Sequence, residues 1–181
     1  TNGGTSIMAL IKLNNQSISA VSALPSGIDT GKIGQVVETR LTATRSTSST
    51  SYGAISGFEA SITPSATSSK ILVCVHVVFS SSNHAHIKFS RDNGSSFVGN
   101  GVASGNRDGV NFYAYGAVNT ARSDSMMFLD TTNTASEVTY KGYWKANSGP
   151  QTAYLNRTPN DENQMYGARG VSSITLIEVL A

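Results

Sequence analysis

His84 and His86 stand two residues apart in the segment His84–Arg91, so on a strand both imidazoles would leave the same face. Two such rings are half of a metal site. A protein metal centre needs three or four ligands, and no carboxylate or cysteine lies near them in sequence, although copies around a three-fold axis would bring further rings together. The reading carried forward is a pair of exposed strand histidines and no metal. His76 lies inside the apolar run Lys70–Phe79 and is expected to be a hydrogen-bonded interior or interface residue.

Other reactive residue types are no better organised. Serine is abundant, yet no G-x-S-x-G elbow occurs; G-A-I-S-G at Gly53–Gly57 has the wrong spacing. The 11 acidic residues are dispersed, and Asp161-Glu162 is the only adjacent pair. With Arg157 and Arg169 nearby, it reads as a solvated ion-pair network. Glycosidase carboxylates come from separate strands, so that chemistry stays open at this point. No glycine-rich phosphate loop precedes a helix. A single cysteine, Cys74, cannot form an intrachain disulfide and reads as a buried thiol. Asn93-Gly-Ser95 and Asn156-Arg-Thr158 match the glycosylation sequon, which matters only in a eukaryotic secretory setting. Neither a catalytic residue nor a cofactor is expected. The aromatic faces of Tyr113, Tyr115, Tyr140, Tyr143, Trp144, Tyr154 and Tyr166 remain, split between core filling and contacts with sugars or subunits.

Composition points the same way. Charged residues are 13% of the chain and the formal net charge is +2, without the basic stripe of a nucleic-acid binder. No apolar run approaches the ~18 residues of a spanning helix, so no membrane insertion is expected. Ser and Thr make up about a quarter of the 181 residues; they suit strands and tight turns and disfavour helices.

The elements that must carry these side chains are strands. Lys70–Phe79, K-I-L-V-C-V-H-V-V-F, is β-branched, apolar on both parities and bounded by serine-rich turns, the pattern of a central strand covered on both faces. A facing sheet covers one side, and Val73, Val75, His76, Val77 and Phe79 are expected to meet a neighbouring subunit. Further strands are predicted at Ile33–Ala43, Tyr52–Ile62, His84–Arg91, Asn111–Val118, Ser125–Thr131, Glu137–Ala146, Gln151–Asn156 and Ser172–Leu180, with Arg45–Ser51 a loop. Asp92-Asn93-Gly94 is the strongest hairpin signal. Ser95–Val98 leads from it into an exposed loop, Gly99–Gly109, and Arg157–Gly170 is a second. Asn100, Asn106, Arg107 and Asp108 in the first, and Asn160, Asp161 and Glu162 in the second, are expected to face a receptor.

Residues 1–32 differ. Leu10, Leu13, Ile18, Val21, Leu24 and Ile28 recur at short spacing and Pro25 stops any helix, which suggests an extended N-terminal arm that docks on something else. Met8 looks like a natural start, leaving residues 1–7 as a cloning remnant or an upstream extension. Residues 33–181 are then one all-β domain, an antiparallel jelly-roll-like sandwich of about eight to ten strands.

Several short motifs add a resemblance. K-I-G-Q-V-V-E-T (32–39), F-E-A-S-I-T-P-S-A-T-S-S-K-I-L-V (58–73), F-S-R-D-N-G-S-S-F (89–97), A-Y-L-N-R (153–157) and S-S-I-T-L-I-E-V (172–179) occur in an order that resembles the β-sandwich domains of tail fibres and related virion surface proteins of aquatic bacteriophages. The leader M-A-L-I-K-L-N-N-Q-S-I-S is similar to their N-terminal portion. The resemblance implies a homotrimeric structural protein on the virion surface, its jelly roll outward and its arm attached to other virion proteins. The role it implies is host attachment, with host polysaccharide as a partner, or covering of a capsid or tail. The chain is shorter than long tail fibres and lacks a coiled-coil or collagen-like shaft, which favours a decoration protein of the head as the alternative. A glycan-binding or glycan-cleaving jelly roll is the further alternative.

Overall fold

A computed structural model describes residues 33–116 and 119–180. Among them there is no helix, and ten strands are present: β1 (Ile33–Leu41), β2 (Arg45–Thr47), β3 (Gly53–Ile62), β4 (Lys70–Ser81), β5 (His84–Ser90), β6 (Phe112–Tyr115), β7 (Arg122–Thr131), β8 (Val138–Ala146), β9 (Ala153–Leu155) and β10 (Ser172–Val179). Every strand pairing is antiparallel.

The first sheet runs β1–β10–β4–β7, with β2 prolonging β1 and β9 prolonging β10 along the far end of β4. The second runs β3–β8–β5–β6. Each sheet interleaves early and late strands, so no sheet is a simple meander. This strand order is that of a jelly roll, two Greek keys folded into two layers.

The core lies between the layers and follows from side-chain alternation. On β4, Ile71, Val73, Val75, Val77 and Phe79 are at most 2% exposed. Phe58, Ile87, Phe89, Tyr140 and Trp144 meet them from the second sheet. Phe89 sits edge-on to Phe58 and Phe112, with centroids 5.7 and 6.3 Å away. Each such side chain contributes roughly 1.5–3 kcal/mol by leaving water, which is why ten short strands without a disulfide form one stable body. Gly142 is the thin point of β8. A Cβ there would lie 2.7 Å from the Phe58 ring, so the absence of a side chain is what lets Phe58 reach the core.

Several expectations need correction. Val73, Val75, Val77 and Phe79 are covered by the chain's own second sheet and cannot meet another subunit; the outward parity of β4 is Leu72, Cys74, His76 and Val78. Cys74 accordingly is half-buried. Arg45–Ser51 begins with a short strand, because Arg45–Thr47 hydrogen-bonds Ala153–Leu155. That three-residue stretch is all that forms of the strand expected over Gln151–Asn156. From Ser95–Val98 only Val98 pairs, with Phe89, and Val102 is 96% exposed. The arm residues Leu10, Leu13, Ile18, Val21, Leu24 and Ile28 lie outside the described residues.

Candidate functional site

The outer face of the second sheet gathers the side chains that could do chemistry. His84, His86 and Lys88 project from β5, opposite Tyr115 and Tyr113 of β6 on one side and Lys145 and Tyr143 of β8 on the other. Above them passes the loop that joins Val98 to β6. Asn111 anchors its far end: its side chain accepts from the Phe89 N–H (3.0 Å) and donates to the Val98 carbonyl (3.1 Å). Held this way, the loop lowers Asp108 onto the sheet.

Asp108 is the hub. Its Oδ2 lies 2.7 Å from Lys145 Nζ and 3.3 Å from His86 Nδ1, and accepts from the Tyr52 hydroxyl at 3.1 Å. Oδ1 lies 3.5 Å from Lys88 Nζ. Both ammonium groups also rest on aromatic faces: Lys88 is 4.5 Å from the Tyr52 centroid and 4.9 Å from that of Phe97, and Lys145 is 4.9 Å from Tyr52. The hydrogen bond from Lys145 holds the Asp108 carboxyl well below the usual carboxylate range, against the opposing effect of burial. Burial, then the Asp108 charge, push the Tyr52 phenol far up. For His86, burial lowers the pKa more than its bond to Asp108 raises it. The ring is therefore neutral at pH 7, donating from Nδ1 to the carboxylate and leaving Nε2 an acceptor.

Beside this hub opens a cavity of about 420 Å³, floored by His84, His86 and Tyr113 and walled by Asn106, Arg107 and Asn147. That volume is within the range of small-ligand sites. Ser104 and Arg107 exchange backbone hydrogen bonds at 3.0 and 3.1 Å, and Arg107 also donates from its guanidinium to the Ser104 carbonyl and hydroxyl at 3.2 and 3.1 Å. The wall is thus a stiff turn. His84 Nδ1 is hydrogen-bonded to the Tyr113 hydroxyl, which fixes both rings. Among the described residues Asp108 is the one acid lining the cavity, and its carboxylate is shared between two lysines.

No protein-family model and no curated protein matches the chain.

The structure thus brings Asn106, Arg107 and Asp108 together with His84 and His86, and leaves Asn100 bracing the loop neck through Gly101 and Gly109 carbonyls at 2.9 and 3.4 Å. Asn160, Asp161 and Glu162 form a separate group. Asp161 takes a two-pronged contact from Arg169 (3.0 and 2.9 Å) and another from Arg157 (3.5 Å), and Glu162 accepts from Tyr166 at 2.6 Å. Nothing local in the sequence marks Tyr52, Asn111 or Asn147, and the shared parity of Tyr143 and Lys145 on β8 is the one signal for Lys145. Among the described residues no cluster of three or more His, Cys, Asp or Glu could hold a metal.

The outer face of the first sheet is of another kind. Register aligns Leu129, Leu72, Ile177 and Val36 in one row across β7, β4, β10 and β1. Leu129 is 52% and Val36 58% exposed, with Met127 at 72% and Ile33 at 64% beside them. His76 is on this face too, its ring between the hydroxyls of Ser125 (2.9 Å) and Ser123 (3.2 Å). Glu38 and Arg40 flank the row on β1, both exposed.

Proposed function

We propose that this chain is a bacteriophage virion structural protein without enzymatic activity, a homotrimer of jelly rolls displayed on the particle surface as a short tail fibre or receptor-binding component. The observation that carries the reading is the apolar row Leu129–Leu72–Ile177–Val36. Contiguous apolar surface of this kind on a sheet face marks an interaction site. A second copy of this chain is the occupant. Glu38 and Arg40 carry opposite charges at the margin of the same face, so around a three-fold axis Glu38 of one copy can meet Arg40 of the next while the apolar rows converge. Among the described residues, β7 pairs only with β4, leaving ten residues of edge whose open backbone groups a neighbouring copy would shield.

The linear motifs similar to virion surface proteins support the location. A decoration protein cementing the head is the second reading. Gold-labelled antibody against the protein, applied to intact particles and imaged by electron microscopy, tests both. Label at the tail tip supports the attachment role, label over the head supports decoration, and unlabelled particles overturn the virion reading.

A further inference from the structure

We propose that the cavity beside Asp108 is a binding site for an acidic saccharide, a sugar ring bearing a carboxylate or sulfate group. Lys88 and Lys145 hold the single carboxylate of Asp108, and Arg107 lines the cavity beside it, so these cations outnumber the one acid at the site. Arg107 spends Nε and one terminal nitrogen on Ser104, and its remaining N–H groups are available to an anionic substituent, the kind of partner a planar guanidinium fork matches.

The rest of the cavity suits a polyhydroxylated ring. Tyr113 is 39% exposed and its hydroxyl is tied to His84, so its ring is a fixed platform for the apolar face of a sugar. Its neighbour Tyr115, 63% exposed, extends that platform along β6. His86 Nε2 accepts a hydroxyl proton, and the side-chain amide of Asn147, which has no hydrogen-bond partner among the described residues, both donates and accepts. A bare phosphate would use Arg107 and leave the tyrosine and the acceptors idle. A nucleic acid would need a basic track, which the dispersed charge does not supply.

The inference rests on the surface-display reading only for where the ligand would be met. The full chain is titrated calorimetrically with four probes: a galacturonic-acid oligomer, a sulfated galactan oligomer, a neutral gluco-oligosaccharide and a single-stranded oligonucleotide. Binding of the uronate, the sulfated sugar or both, at least about tenfold tighter than the neutral sugar, is expected; which of the two binds identifies the anionic group. Arg107→Ala, checked for folding by circular dichroism, should erase the acidic preference, and Tyr113→Ala should weaken all sugars alike.

No heat from either acidic probe at about 10 mM, a limit well above the millimolar scale of weak specific binding, overturns the site. So does acidic-sugar binding that both variants leave unchanged, or oligonucleotide binding as tight as the best sugar. Sugar binding by a chain absent from particles would remove the virion reading and keep the site; a particle-borne chain that binds none would do the reverse.

Discussion

The side-chain amide of Asn156 donates a hydrogen bond to the carbonyl of Leu41 at 2.6 Å, across 115 residues of chain. It reaches the Ala43 carbonyl too, at 3.1 Å, while its own oxygen accepts from the Ser172 hydroxyl at 2.7 Å. Asn156 thus fills the gap in the first sheet where β1 gives way to β2 and β9 to β10. It is wholly buried and has φ 61°, a left-handed conformation that asparagine tolerates better than most residues.

Asn156→Ala should therefore cost about 2–4 kcal/mol in urea unfolding, from orphaned buried carbonyls plus left-handed strain. Asn156→Gly removes the same hydrogen bonds without the strain and should be milder by about 1 kcal/mol. Equal losses in the two variants would show that the conformation at this position stores nothing.

Gly142→Ala should destabilise by about 1–3 kcal/mol, since a buried Phe58 ring has no free space to yield. Trimming the ring in the double variant Gly142→Ala, Phe58→Leu should recover part of the loss relative to the sum of the single changes. Strict additivity in thermal unfolding would place the strain elsewhere.

Glu178 gives the fold an acid-sensitive edge. It is 1% exposed, and burial by itself would raise its pKa. The Ser65 hydroxyl and N–H, at 2.7 and 2.6 Å, and the Gln35 amide, at 2.8 Å, outweigh that and bring the pKa from 4.5 to about 2. The folded value is below the unfolded one, so this stabilisation is complete above about pH 5 and disappears as pH falls towards 2. Glu178→Gln should be less stable at pH 7 and show a flatter stability profile between pH 5 and 2 in denaturant titrations. A variant profile parallel to that of the parent would rule out this carboxylate as the acid sensor.

The strand framework was legible because alternation reports parity directly. Val37, Thr39 and Leu41, or Val138, Tyr140, Gly142 and Trp144, share a face in the sequence and share it in the fold. On β4 that signal is silent. Both parities are apolar, so nothing local says which meets the second sheet, and the expected subunit contact fell on the inward set Val73, Val75, Val77 and Phe79. The short strand β2 is hidden for a different reason: Arg45–Thr47 reads as loop, and Asn156 and Ser172 as ordinary strand residues, until their partners at Ala153–Leu155, Leu41 and Val78 are known. From sequence alone Asp108 is an exposed loop residue, because its partners, Lys88, Lys145 and Tyr52, come from three separate stretches of chain that only the folded sheet brings together.

The proposed subunit contact lies on the outer face of the first sheet. Sedimentation equilibrium of the full chain at micromolar concentration, alongside a Leu129→Lys variant whose circular dichroism matches the parent, tests it most directly. The parent should sediment at the mass of three chains, and the variant, with a charge set in the apolar row, at the mass of one. A parent that is monomeric at this concentration, or a Leu129→Lys variant that stays trimeric, would contradict the assignment of this face as the subunit contact.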